Sequence, residues 1–338
     1  MCSSSSFVMQ IANLSVEVRG FRDEESACLE GLKHIFRHHI VDEPTGIDHR
    51  IIVCSTDKDA VLPKATLQWV APCLGVAGLV PRSRPFLARI YSRLFTRNKE
   101  IPLYSGTCNV SCYYDPHRQV SYYVPEYGKW HVEHHPGEHV TYVYSDEQSE
   151  NSDGLPSMLV NVIGSQYGRY LIFASCVAVE DGALLLTGDS GVGKSTLCMK
   201  LVEQGAAYMG DDLALLYMDA GQVMAGSLLF PLKRYADETQ LHKTKIDMAS
   251  LPSQNSPLTA PLKAVYILHR ADHPVASPTL QPIQAGTMIE RLLKRTNRAN
   301  THADPRHFVT TLSSICETVP CYDLFYGNGN TVTPSFFR

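Results

Sequence analysis

The stretch Gly188-Asp189-Ser190-Gly191-Val192-Gly193-Lys194-Ser195 constrains this chain more than any other part of it. Its spacing is G-x-x-x-x-G-K-[ST], a loop whose glycines let successive backbone N–H groups converge on a phosphate. The flanks suit such a loop. Ala183 to Thr187 is an apolar run and predicts a buried strand. Thr196 to Glu203 holds neither glycine nor proline and predicts a helix. A helix that starts at the loop adds the positive end of its dipole to the same concavity. In this setting the Lys194 ammonium reaches the β- and γ-phosphates, and the Ser195 hydroxyl can ligate Mg2+.

An aspartate pair, Asp211-Asp212, follows a short apolar run from Ala206 to Met209, and Leu213 to Tyr217 is apolar again. Two carboxylates at a strand end beside a phosphate loop have two uses. One holds Mg2+, the Walker B role. The other accepts a proton from an attacking hydroxyl. An Asp-Asp alone reads as a solvated acidic turn. The phosphate loop at this spacing favours the functional reading.

The segment LLLTGDSGVGKSTLCMKLVEQGAAYMGDDLALL, with Ala174-Ser175 before Glu180-Asp181-Gly182, Pro-Leu-Lys at 231 to 233 and Pro320 before the last strand, resembles the HPr serine kinase/phosphorylase family. The resemblance spans roughly residues 159 to 326, about half of the chain. It implies an α/β fold: a P-loop kinase-like domain on a central mixed sheet, related to that of phosphoenolpyruvate carboxykinase, with an N-terminal α+β domain beside it. It implies that Gly188, Asp189, Ser190, Gly191, Val192, Gly193, Lys194, Ser195 and Thr196 bind the nucleotide. It also implies Asp211 as general base, with Lys194 as its catalytic companion, and Ser195 with Asp212 as Mg2+ ligands. The chain departs from the family pattern at Thr196, where a glutamate is usual, and at Phe173, where a histidine precedes the loop strand. An acidic-Val/Ile-Arg-Gly signature after Leu213 is missing. These departures imply a divergent kinase that acts on a hydroxyl of another acceptor, without the reverse phosphorylase reaction.

The 338 residues allow two domains, expected at 1–145 and 159–338, with 146–158 as a linker because Asp146 to Ser157 is polar and holds Gly154 and Pro156. A net charge of −4 argues against a dedicated nucleic-acid binder. The ten cysteines are scattered, several inside apolar runs, and read as reduced buried thiols of a cytoplasmic protein. Ala65 to Val80 is interrupted by Gln68, Pro72, Gly75 and Gly78 and is too short to span a bilayer, so it reads as core, followed by an amphipathic helix from about Pro85 to Thr96. Strands are expected at Val8–Val18, Ile51–Cys54, Val110–Tyr114, Val120–Val124, Val140–Tyr144, Leu171–Val179, Ala264–Leu268 and Cys321–Tyr326. Helices are expected at Glu24–His38, Leu159–Tyr170, Gly286–Arg295 and Arg306–Cys316.

Other clusters carry less. His131, His134, His135 and His139 with Glu133 and Glu138 contain zinc-ligand chemistry, but a turn at Pro136-Gly137 reads better as a solvated hairpin. Cys108 and Cys112 lack a second pair for a zinc site. Thr244-Lys245-Ile246-Asp247 echoes a guanine-reading motif without the strand that should precede it. Of the basic clusters, Lys233-Arg234 is a candidate phosphate clamp, and Arg291, Lys294, Arg295 and Arg298 read as a solvated helix face.

The sequence reading is therefore a phosphotransferase that uses ATP and Mg2+ on a hydroxyl-bearing peptide, protein or small molecule. A nucleotide-binding module with weak turnover is the alternative, and a GTPase switch is a distant third. Neither nucleic acid nor a membrane is expected as partner, and a homo-oligomer stays open.

Overall fold

The first apolar stretch folds back on itself. In the computed structural model, β1 (Ser6–Ile11) and β2 (Leu14–Gly20) pair antiparallel, with Ala12 and Asn13 between them. Both turn residues have positive φ, 47° and 63°. Such a two-residue turn matches the twist of the flanking strands. The single strand expected over Val8–Val18 is therefore a hairpin, because Ala12-Asn13 adopts a conformation that alternation does not reveal.

The structure describes residues 6–21, 26–55, 68–70, 79–81, 110–115, 118–125, 130–145, 154–180, 182–229, 232–235, 243–246, 256–271, 277–293, 295, 305–327 and 332–337. The expected helix at 85–96, the basic run from 82 to 99, Cys108, Asp247, Lys294 and Arg298 lie outside them. So does the linker stretch 146–153. Contacts divide the chain into two units, Met1–Tyr167 with Asn297–Ala303, and Gly168–Thr296 with Asp304–Arg338. No described helix is long and apolar enough to cross a membrane.

In the N-terminal unit, β2 continues through α1 (Ala27–Ile35) to β3 (His49–Ser55), which lies parallel to β2. Ser26 starts α1 by accepting the Leu29 N–H, so the helix begins later than the periodicity alone suggests. The remaining strands are β4 (Gln68–Val70), β5 (Leu79–Pro81), β6 (Val110–Asp115), β7 (Val120–Pro125), β8 (Trp130–His135) and β9 (Val140–Ser145). They complete a mixed nine-stranded sheet in the order β1-β2-β3-β9-β8-β7-β6-β4-β5. The unit ends with α2 (Leu155–Gln166), in which every residue from Leu155 to Ser165 is buried. Its first turn occupies the second half of the expected linker. Pro156 lacks an N–H that the first turn leaves unbonded anyway, and Gly154 caps the helix with φ 85°. The two residues read as breakers are the helix start.

The C-terminal unit holds β10 (Tyr170–Ile172), β11 (Ser175–Val179), β12 (Gly182–Thr187), α3 (Lys194–Glu203), β13 (Ala207–Gly210), β14 (Ala214–Asp219) and β15 (Gln222–Gly226). A small hairpin, β16 (Leu232–Tyr235) with β17 (Lys243–Ile246), follows. Then come β18 (Thr259–Ala271), β19 (Thr279–Pro282), α4 (Ala285–Leu293), α5 (Pro305–Thr318) and β20 (Cys321–Gly327). The second mixed sheet runs β10-β14-β15-β18-β12-β11-β13, with β20 on β18 and β19 on β20. Strands β12, β18 and β20 are parallel. All six residues of β12 are buried because helices cover both faces of the sheet. On one face α3 packs Leu197, Cys198, Leu201 and Val202 against Leu184 and Leu186. On the other, α4 and α5 pack Met288, Leu292, Phe308, Leu312 and Ile315 against Leu185, Val265 and Ile267. The glycine-rich loop 188–193 lies between β12 and α3. Cys28, Cys54, Cys176, Cys198, Cys316 and Cys321 are all buried, as apolar thiols should be.

Candidate functional site

The loop is a strand-to-helix turn that only glycine fits at two points. A side chain at Gly188 would meet the Leu268 carbonyl oxygen of β18 at 3.1 Å, and φ there is 149°. A side chain at Gly193, φ 101°, would meet the Tyr326 hydroxyl at 2.7 Å. That hydroxyl donates to the Val192 carbonyl at 2.7 Å and so pins the loop to β20. Gly193 caps α3 and supplies no side-chain acceptor, which leaves the N–H groups of the first turn to other acceptors. Asp189, Ser190, Gly191 and Thr196 are exposed, while Gly188, Val192, Gly193, Lys194 and Ser195 are half-buried.

Lys194 donates to the carbonyls of Gly188 at 3.2 Å and Asp189 at 3.0 Å. Burial pulls its pKa down, and the charges of Asp212 and Asp211 work against that. Both aspartates thus lie within electrostatic reach of the ammonium. Asp211 is buried at 8% exposure and accepts hydrogen bonds from the hydroxyls of Ser175 and Ser195. Burial raises its carboxyl above the usual range, the Asp212 charge adds to this, and the two serines oppose it. Asp212 is half-buried and sits at φ 64°, a left-handed turn residue. Its carbonyl accepts the Ala174 N–H at 3.2 Å, which ties the turn to the start of β11. The structure therefore gathers Lys194, Ser195, Asp211 and Asp212 at one end of the sheet.

Three participants were not read as site residues in the sequence. Ser175 and Tyr326 reach the loop region from β11 and β20. Arg295 follows α4 and donates to Asp189 Oδ1 at 3.1 Å and to the Arg291 carbonyl at 3.1 Å. Arg291 in turn binds Asp323 at 2.6 Å, and His269 binds the same carboxylate oxygen at 2.5 Å. The expectation of a solvated face is corrected for Arg291 and Arg295. Their side chains are only 32% and 17% exposed, and both are ion-paired.

The histidine cluster also differs from expectation. His134 and His135 point to opposite faces of β8, yet both are buried, at 1% and 9% exposure. His134 and His49 share the Thr141 hydroxyl, at 2.9 and 2.8 Å, and their rings stack. The strands of the hairpin bury His134 and His135, while its turn at Gly137, Glu138 and His139 is exposed, as the sequence suggested. No group of three or more His, Cys, Asp or Glu side chains among the described residues is arranged to hold a metal. Thr244 to Ile246 lies in β17 paired with β16, without the strand-to-loop setting of a guanine-reading motif. Lys233 and Arg234 lie in β16.

No family model matches the sequence, and no curated protein matches it. Among solved structures, the chain is similar to the HPr(Ser) kinase/phosphatase from Coxiella burnetii. The identity is 11% over 47% of this chain and 86% of that chain, with a TM-score of 0.29.

Proposed function

We propose that the C-terminal unit is a phosphotransferase that moves the γ-phosphoryl group of ATP, with Mg2+, to a hydroxyl of a peptide, protein or small molecule. The observation that supports this best is the hydrogen-bonded link from Ser195 to Asp211 beside Lys194, at the mouth of a glycine loop. The residues suit the ligands. Lys194 can exchange two loop carbonyls for β- and γ-phosphate oxygens, which gives it stronger, charge-assisted bonds. Ser195 and Asp211 supply the oxygen donors that a hard divalent cation takes. Bound there, Mg2+ would neutralise charge on the β- and γ-phosphate oxygens.

This geometry favours a division of labour opposite to the one read from the sequence. Asp211 is the carboxylate tied to Ser195, so it is the better cation ligand. Asp212 is less buried, so it is the carboxylate more open to an incoming hydroxyl and the better placed proton acceptor. In the reaction the acceptor oxygen bonds to the γ-phosphorus as the bond to the ADP oxygen breaks, and the hydroxyl proton passes to Asp212. Residues 1–145 would choose the acceptor. Incubation with Mg2+-ATP and candidate acceptors, followed by mass spectrometry, tests the reading. A gain of one phosphoryl group on an acceptor supports it, and calorimetry showing no affinity for ATP or ADP would overturn it.

A further inference from the structure

We infer that Arg295 is a second phosphoryl-binding group of this site, held on Asp189 until the phosphate arrives. The inference rests on the phosphotransfer reading. Arg295 belongs to no described strand or helix, yet its position is fixed on three sides. Its carbonyl accepts the Phe173 N–H at 2.8 Å, Nη1 donates to the Arg291 carbonyl at 3.1 Å, and Nη2 binds Asp189 Oδ1 at 3.1 Å. The turn of α4 before it is anchored to the sheet through Arg291, Asp323 and His269. A guanidinium so constrained is aimed at the loop, and little ordering is left to do when an anion binds.

Its charge is otherwise costly. Arg295 acts on Lys194 as a like charge, and the two cations share one loop. The partner that offsets this is Asp189, whose side chain is 87% exposed. An ion pair with so exposed a carboxylate is weak, because solvent screens it. A phosphoryl group carries more charge, and its oxygens match the guanidinium fork. Phosphate therefore outcompetes Asp189 for Arg295. Charge in the transfer spreads over the three equatorial oxygens of the moving phosphoryl, where an arginine stabilises it most. No bond to Arg295 forms or breaks in the step. Asp189 occupies the guanidinium while the site is empty, so the two neighbouring cations do not repel each other unscreened.

The test compares two ligands on the full-length chain by calorimetry with Mg2+ present: ADP, and ADP with aluminium fluoride, a mimic of the phosphoryl group in transfer. Failure of the wild-type chain to bind ADP would refute the phosphotransfer reading itself. Given ADP binding, the wild-type chain is expected to prefer the mimic by about 100-fold or more, as transition-state analogues do. Arg295→Ala should keep ADP affinity within about threefold while the preference falls at least about tenfold, because the lost contact belongs to the moving phosphoryl. Asp189→Asn should tighten binding of the mimic, since the competing carboxylate charge is gone. If Arg295→Ala also loses ADP, Arg295→Lys decides, and a reduced preference with ADP bound supports the inference. A wild-type chain that binds both ligands equally, or an Arg295 variant that keeps the full preference, would overturn it.

Discussion

Lys194 holds two carbonyls of its own loop, contacts that it must leave to meet a phosphate. Lys194→Met should therefore weaken ATP binding by about 1.5–3 kcal/mol, the worth of a hydrogen bond to a charged group, and abolish transfer. Calorimetry that shows unchanged affinity would remove Lys194 from the site. The aspartates separate by kinetics. Asp212→Asn should lower transfer by about 10²–10⁴-fold, the usual contribution of a proton acceptor, while Asp211→Asn should raise the Mg2+ concentration required. The reverse pattern in a Mg2+ titration would restore the assignment read from the sequence. Asp211 also carries a stability signature. Its pKa is raised on folding, so the stabilisation from its protonated form is present below the unfolded carboxyl pKa of about 3.9 and is lost as pH rises through the folded value. At about pH 8 Asp211→Asn should melt higher than the wild-type chain, and near pH 4 the gap should close. A constant gap in thermal melts at both values would show that the buried charge is not its cause. The strand-to-helix turn around Gly188 to Ser195 was legible in the sequence because it is built from consecutive residues. Ser175, Arg295 and Tyr326 were not, because they reach the site from other strands and a helix end, and no spacing rule connects residues so far apart in the chain.

At the scale of elements, the strands and helices that line the site followed from periodicity, and the errors fell where one residue decides. Alternation continues through Ala12-Asn13, so only their positive φ reveals the hairpin. Pro156 was read as a breaker, although proline suits the first turn of a helix. Strands β15, β16, β17 and β19 escaped because they are short and mix polar with apolar residues. Helix α1 offers the simplest check of local control. Ser26 is its cap, and Ser26→Ala should destabilise the N-terminal unit by about 1 kcal/mol. Both tryptophans, Trp69 and Trp130, lie in that unit, so urea unfolding followed by tryptophan fluorescence reports on it directly. An unchanged midpoint would mean that the cap contributes nothing.

Across the whole molecule, two mixed sheets with few helices divide the chain into units of different chemistry. The glycine loop and the Asp211-Asp212 pair belong to the C-terminal unit. The N-terminal unit buries histidines instead: burial, then the His139 charge, lowers the His49 pKa to about 3, and burial lowers that of His134 too. Folding depresses both, so their contribution to stability is complete above the unfolded histidine value of about 6.5 and is lost as pH falls below it. Each histidine should cost the N-terminal unit about 1.4 kcal/mol per pH unit in that window. The tryptophan-detected urea midpoint should fall accordingly, and His49→Gln should flatten the slope. A slope that stays the same in His49→Gln would clear His49 of the effect. The units should also differ in what they decide. The proposed phosphate-binding and carboxylate residues all lie after Gly168, and in the proposed reading residues 1–145 choose the acceptor. A chain starting at Leu155 that unfolds cooperatively should bind Mg2+-ATP with near wild-type affinity, because every contact described around the loop lies within the C-terminal unit. It should fail to phosphorylate the acceptor of the full-length chain, since the surface that selects it is gone. Full phosphorylation of that acceptor by the shortened chain would place acceptor recognition in the C-terminal unit as well.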